Sequence, residues 1–235
     1  MTKDDTALVR ALQGRFVVFD GPDGAGKSTQ LRLLADKLRN AGGAIISCRD
    51  PGGTQIGERI RSVLLDYDLS SMDVSCETLL FMASRAQLVA EVIKPALESS
   101  RTVLCDRFVT STCAYQGAAG FDPRRVIELA RFAFADCWPD VTVILDVDPE
   151  EGLARTARKI RESGTSCGGT GREAAPPDTV RTDAMEARPI AFHRKVRRLF
   201  KDLHEFYPTP VVTVDGLGEQ NTVHVRAVEA LLTCL

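Results

Sequence analysis

Five short β-prone runs, at 16–19, 44–47, 102–105, 141–147 and 211–214, alternate with longer stretches in which apolar residues return every three or four positions. Runs that stay apolar predict strands buried on both faces, and the longer period predicts helices between them. The chain is therefore expected to build an α/β fold, a parallel sheet with helices on both faces. The helical spacing is clearest at 56–65, 74–98, 123–136 and 187–206, and again at Leu31, Leu34, Ala35 and Leu38, where Gly42 and Gly43 close it. Pro95 is expected to bend or shorten the second of these helices, because it lacks a backbone donor. At 162–178 the period stops. The Gly/Ser-rich run 163–171, followed by Pro176 and Pro177, cannot bury a helical or strand face and predicts a mobile surface loop. No internal repeat interrupts the pattern, so 1–235 reads as a single domain.

In such sheets ligands bind beyond the C-terminal strand ends. Those ends carry Asp20 and Gly21, the segment 49–54, Asp106 and Arg107, Asp146, and Asp215. Behind the first strand stands Gly21-Pro22-Asp23-Gly24-Ala25-Gly26-Lys27-Ser28, with Thr29 next, a complete G-x-x-x-x-G-K-S phosphate loop opening a helix. Its glycines leave backbone N–H groups free to surround phosphate oxygens, Lys27 can reach the outer phosphates, and the Ser28 hydroxyl suits Mg²⁺. The chain therefore handles a nucleotide phosphate.

Composition narrows the partners. Across 235 residues, thirty basic side chains against thirty-two acidic ones leave a formal charge of −2, which gives no reason to expect nucleic acid or a membrane surface. Cys48, Cys76, Cys105, Cys113, Cys137, Cys167 and Cys234 form no C-x-x-C pair, and several lie in apolar segments; they suit buried thiols in a reducing cytosol, with a cysteine zinc site or redox couple as the alternative. The first fourteen residues lack the apolar centre of a signal peptide and no run is long enough to span a bilayer, so a soluble cytoplasmic protein is expected.

Beyond the loop, Asp106 and Arg107 follow the third strand directly. Asp106 can hold Mg²⁺ through water and Arg107 can bridge donor and acceptor phosphates; a local ion pair capping the next helix is the structural alternative. Ser111, Thr112, Tyr115 and Gln116 form two i,i+4 pairs that can face one cavity, though polar residues on one side of a helix are usually just solvated; Phe81 and Arg85 form another pair, in which Phe81 by itself reads as core and Arg85 as a surface charge. Basic residues Arg155, Arg158, Lys159, Arg161, Arg172 and Arg181 flank the irregular loop, as in a lid over phosphates or a solvated linker. His193, His204 and His224 lie on helical stretches away from the strand ends and read as packing or surface residues. An acceptor phosphate is already ionised at neutral pH, so no catalytic histidine is required. Another nucleoside monophosphate kinase, or a non-catalytic nucleotide switch, remains open at this level.

The segments 20–29, 49–54, 80–87 and 106–117, with Leu145 to Leu153 following, together closely resemble thymidylate kinase. The resemblance runs from about Arg15 to the C-terminus and rests on the ordered set of phosphate loop, P-G-G-T turn, D-R-F segment and A-Y-Q-G. It implies a three-layer P-loop nucleoside monophosphate kinase fold, with strand order 2-3-1-4-5 and a mobile lid at 153–186. The implied reaction is direct in-line phosphoryl transfer from ATP to dTMP with Mg²⁺, giving dTDP. By resemblance Phe81 stacks on thymine, Arg85 reaches its O4, Thr112 and Gln116 bond around the base with Ser111 nearby, and Tyr115 lies against the deoxyribose. Asp23 meets the 3′-hydroxyl, Arg49 and Arg107 grip the acceptor phosphate, and Ser28 and Asp106 hold the metal. One branch of the family carries an arginine inside the phosphate loop and another brings it from the lid; Gly24 and Ala25 put this chain in the second, bacterial type. The lid candidates are Arg155, Arg158, Arg161 and Arg181, with Arg155 and Arg158 preferred because they precede the irregular part. Asp20 stands where the family usually has Glu, and Ala184 where its lid motif has Arg. A homodimer is implied as well.

Overall fold

The computed structural model describes residues 3–65, 71–163 and 188–235. Its strands are β1 (Phe16–Asp20), β2 (Ile45–Arg49), β3 (Thr102–Asp106), β4 (Val141–Asp146) and β5 (Val211–Asp215). They form one sheet in the order β2-β3-β1-β4-β5, parallel throughout, as the resemblance implies. Four strands are a residue or two longer at the C-terminal end than the apolar runs, because the polar residue that ends each run still pairs in the sheet: Phe19 lies opposite Asp106, and Arg49 opposite Asp106 on the other side.

Both faces of the sheet are covered, which is why β1 is apolar at successive positions. Phe16 and Val18 point into one buried cluster with Val103, Cys105 and Ile144; Val17 and Phe19 point into the other with Leu104, Val143 and Leu145. The first face is closed by α4 (Val74–Leu88), α6 (Val109–Ala118), α7 (Pro123–Phe134) and α9 (Ile190–Asp202), which supply Leu88, Val109, Val126 and Phe200. The second is closed by α1 (Lys3–Leu12), α2 (Lys27–Asn40) and α10 (Gln220–Thr233), through Leu12, Leu34 and Leu231. The remaining helices are α3 (Gln55–Leu65), α5 (Lys94–Glu98) and α8 (Pro149–Ser163).

The long helix expected at 74–98 divides into α4, a π-helical turn Val89–Ile93, and α5, whose first turn holds Pro95. A wider turn just before the proline makes room for its ring and its missing donor. The helix expected from 187 begins at Ile190 because Pro189 caps it, and it ends in a 3₁₀ turn at Leu203–Glu205. The one expected at 123–136 stops at Phe134, where Ala135 turns to φ 50°. Helix α9 is tied to the end of β4 through Asp146, which accepts from Arg197 at 2.6 and 3.0 Å and lies 3.0 Å from Lys201. Of the expected lid segment 153–186, the part up to Ser163 is the end of α8; Cys167, Arg172, Arg181 and Ala184 lie outside the described residues.

Candidate active site

The phosphate loop joins β1 to α2, and its chemistry starts with the backbone. Gly26 caps α2 at φ 93°, a conformation that strains other residues, and open space lies where a β-carbon would sit. A helix N-terminus with no side-chain acceptor thus faces an open cradle, the arrangement that phosphate oxygens fill. Lys27, buried, turns back over the loop and donates to the carbonyls of Gly21 (2.9 Å) and Pro22 (2.7 Å). Burial, with Arg107 beside it, pushes its ammonium down to about 8, against the pull of Asp23, Asp106 and Asp20.

Asp20 ends β1 wholly buried, and both of its oxygens are occupied. Oδ1 accepts from the Gly21 N–H (2.8 Å) and the Ser111 hydroxyl (2.7 Å), and Oδ2 from the Thr110 hydroxyl (2.5 Å) and the Phe108 N–H (3.4 Å). Its shorter side chain thus binds the loop's first residue to the first turn of α6. Asp106, at the end of β3, meets the first turn of α2: Ser28 Oγ donates to its Oδ2 at 2.5 Å. A hydroxyl and a carboxylate oxygen side by side at a phosphate loop suit Mg²⁺, which usually takes one or two protein oxygens and fills the rest of its shell with phosphate and water. Among the described residues no group of three or more His, Cys, Asp or Glu side chains gathers as a self-sufficient metal cage.

Arg107 adopts φ 67°, uncommon for a residue with a side chain, and its N–H donates to the Phe19 carbonyl at 2.9 Å. This turn aims the guanidinium across the loop. Nη2 donates to Asp23 Oδ1, Nη1 donates to Ser111 Oγ at 3.1 Å, and the guanidinium carbon stands 5.3 Å from the centre of the Tyr115 ring. Tyr115 donates its hydroxyl to the other Asp23 oxygen at 2.7 Å. Burial pushes the Asp23 carboxyl up, but Arg107, Lys27 and the Tyr115 hydroxyl outweigh it and leave Asp23 below its ordinary value. Burial also opposes charge on Arg107, yet Tyr115, Asp23, Asp20 and Asp106 raise it well above its usual range.

Phe81, half-buried, and Arg85, with no exposed surface, lie one turn apart on α4. Arg85 donates to Asp50 Oδ2 from both Nε (2.8 Å) and Nη2, and Nη2 also donates to the Phe108 carbonyl (3.0 Å) and the Thr112 hydroxyl (3.2 Å). Gln116 is buried on α6 and donates to Glu77 at 3.1 Å. Arg49 is exposed at the end of β2 and paired with Glu58 at 2.9 Å, a carboxylate lowered first by the Gly53 N–H and then by Arg49. On α8, Arg155 donates to Glu151 (2.7 Å) and to the Gly216 carbonyl (3.2 Å), whereas Arg158 and Arg161 are exposed. No ion-pair partner of Arg158 occurs among the described residues.

The structure thus brings Arg107 and Tyr115 together on Asp23, with Ser111 on Arg107 and Asp106 on Ser28 of the loop. Phe81, Arg85, Thr112 and Gln116 stand along α4 and α6 beside them, and Arg49 faces Glu58. The sequence left unassigned the acidic partners Asp50, Glu58 and Glu77, and also Gly152, whose backbone abuts Gly24. Asp50 alone carried a signal, a carboxylate at a strand end. His193 is buried on α9 and has an unpartnered Nε2. His204 faces the Lys201 carbonyl and His224 faces Gln30. Cys105 and Cys113 are buried thiols, the latter pushed up to about 12 by burial.

Comparison with known proteins agrees with this geometry. The thymidylate kinase family model matches residues 19–167. A thymidylate kinase of Protochlamydia amoebophila is 40% identical over 221 residues, 93% of this chain and 92% of that one. A thymidylate kinase of Thermomicrobium roseum is 46% identical over 183 residues, 77% of each chain. Among solved structures, a thymidylate kinase from Ehrlichia chaffeensis superimposes with a TM-score of 0.67 at 29% identity, covering 93% of this chain and 98% of that one.

Proposed function

Because the chain belongs to the thymidylate kinase family, the ATP-dependent phosphotransferases that convert dTMP to dTDP, we propose how its own residues divide that work. The loop 21–29 holds the donor phosphates, with Lys27 on the outer ones. Arg107 is the bridge. Its guanidinium spans from the loop carbonyl of Gly21 to Asp23 and Ser111, and this span is the observation that carries the proposal. Charge in the transition state spreads over the transferred group's oxygens, and a rigid, always-charged fork set between two phosphates stabilises it without proton transfer. Arg49 serves the acceptor phosphate from the rim, after exchanging its Glu58 contact for the substrate. Ser28 and Asp106 hold Mg²⁺, which neutralises phosphate charge when bound. Asp106 thereby keeps a catalytic part.

On the acceptor side, Phe81 offers a ring face to the base, and Arg85, Ser111, Thr112 and Gln116 form the polar wall around it. Asp23 takes the sugar hydroxyl and Tyr115 closes the space beside the sugar. Arg155 and Arg158 supply the lid charge in this reading. The Gly216 contact of Arg155 ties it to the donor side of the loop, and exposed Arg158 is free to swing over the transferred group. The chain works as one kinase domain, 1–235, with 153–186 as its lid.

A homodimer in the cytoplasm completes the proposal. Phe132 on α7 is 91% exposed, and Leu79 on α4 with Ile56 and Val63 on α3 add apolar surface on neighbouring helices, which a second copy would cover. No helix among the described residues is long and apolar enough to cross a membrane, and the cysteines among them are free thiols, which suits a reducing compartment. The test is ADP release from ATP and Mg²⁺ with dTMP, dUMP, UMP, dCMP and dGMP in parallel, with light scattering for the dimer. Efficient turnover with dTMP is expected; ATP binding without dTMP-dependent ADP release would overturn the assignment.

A further inference from the structure

Arg85 is the largest side chain among the described residues with no exposed surface, and a guanidinium taken wholly out of water needs a counter-charge and a full set of acceptors. Asp50, also buried, supplies the charge. Its Oδ2 takes two donors of the same guanidinium, Nε and Nη2, while the Phe108 carbonyl and the Thr112 hydroxyl complete Nη2. The guanidinium carbon lies 5.2 Å from the centre of the Phe108 ring. Anchors from three elements therefore fix the plane and rotation of the group. They leave one edge: among the described residues Nη1 has only the Met82 thioether, a weak acceptor at 3.9 Å. A buried donor edge without a strong partner is costly unless a ligand fills it.

We propose that Asp50 is a positioning residue for base recognition: by saturating the Nε/Nη2 edge of Arg85 it aims Nη1 at the acceptor base, so that preference for a 4-oxo over a 4-amino pyrimidine depends on a carboxylate that never touches the nucleotide. The inference rests on the reading of Phe81 and Arg85 as the base site. A carbonyl accepts from Nη1, whereas an amino group presents a second donor to it, and a site built to donate rejects a partner that cannot accept. A guanidinium released from Asp50 can rotate and loses this selectivity.

The test compares kcat and KM separately for dTMP and dCMP in the full-length enzyme and in Asp50→Asn, Asp50→Glu and Arg85→Met. Asp50→Asn is expected to raise the KM for dTMP about tenfold or more and to shrink the dTMP/dCMP ratio of kcat/KM by a similar factor, with the KM for ATP within about twofold of the parent. Asp50→Glu keeps the charge and is the variant to read if Asp50→Asn does not fold. Its extra methylene displaces the guanidinium, and the ratio is expected to fall about threefold or more. Equal losses on both substrates, or an unchanged ratio in Asp50→Glu, would overturn the inference and leave Asp50 a purely structural partner. If Arg85→Met leaves the ratio untouched, the base-site reading itself fails; if Arg85→Met collapses it while the Asp50 variants do not, only the role of Asp50 fails.

Discussion

Gly24 of the phosphate loop and Gly152 of α8 meet backbone to backbone: a β-carbon on Gly24 would lie 1.9 Å from the Gly152 carbonyl oxygen, and one on Gly152 would lie 2.2 Å from the Asp23 carbonyl oxygen. Neither position admits a side chain, and Gly24 also sits at φ 71°. Ala25, the next residue, is buried in the apolar cluster. An arginine at position 24 or 25 has nowhere to go, which gives a physical basis for the proposed use of arginines from α8. Gly24→Arg is expected to lose stability, by roughly 2–4 kcal/mol, and ATP affinity rather than to gain a catalytic group. Thermal melting with ATP titration checks this, and a Gly24→Arg protein with parental melting and turnover would contradict it.

Lys27 sets a pH dependence with two opposite signs. Its ammonium is lowered by burial from the ordinary 10.5 to about 8, so between those values the unfolded chain holds a proton that the ligand-free native protein does not. This group's contribution to stability therefore rises with pH across that window. Phosphate binding needs the charged form, so ATP affinity is expected to fall as pH rises through about 8, by at most about tenfold per pH unit. Calorimetric titration from neutral to alkaline pH should show the fall in the parent, and Lys27→Met should bind weakly with a flat profile. A parent affinity that does not change across this range would count against the charge on Lys27.

Arg107→Ala removes the bridge while leaving its backbone turn to alanine. Turnover is expected to drop by about 10³ to 10⁵ with the circular dichroism spectrum preserved. Arg107→Lys should recover only part of it, since an ammonium cannot span Asp23 and Ser111 together. A folded Arg107→Ala enzyme of near-parental rate would sink the assignment.

Tyr115 gives its hydroxyl to Asp23 at 2.7 Å, so the ring and not the hydroxyl is left to crowd a ribose 2′-hydroxyl. UMP is expected to be a worse acceptor than dUMP. Tyr115→Phe should keep that ratio while lowering kcat/KM for both about tenfold, the scale of one hydrogen bond to a charged partner. Steady-state kinetics on the two monophosphates decide it; a ratio near one in the parent, or a ratio lost in Tyr115→Phe, would show that shape is not the cause.

Much of the architecture was legible because buried parallel strands are continuous apolar runs, and all five strands stand where those runs lie. Helices α1, α8 and α10 were harder to read. In α10 Val223, Ala227 and Leu231 are buried one turn apart, but exposed Val225 and Leu232 blur the stripe; α8 is so rich in charge that it reads as a basic flank. The phosphate loop and the Asp106-Arg107 pair, being local patterns, were visible as candidates. Their partners were not. Asp50 lies thirty-five residues from Arg85 and Glu77 thirty-nine from Gln116, and only the folded chain shows which carboxylate answers which donor. Asp20 illustrates the same limit, because only the folded chain shows that Thr110 and Ser111 occupy its carboxylate.

That occupation has a bearing on manufacturing tolerance, as an engineer would use the term. In-line transfer demands alignment of donor and acceptor to about half an ångström. The parts that hold them are separated by some ninety residues of chain, along which small deviations would accumulate. Asp20 short-circuits that path, since one side chain gauges the loop's first amide against the first turn of α6. Insertions and substitutions in the intervening loops can then vary without shifting the datum from which both halves of the site are measured.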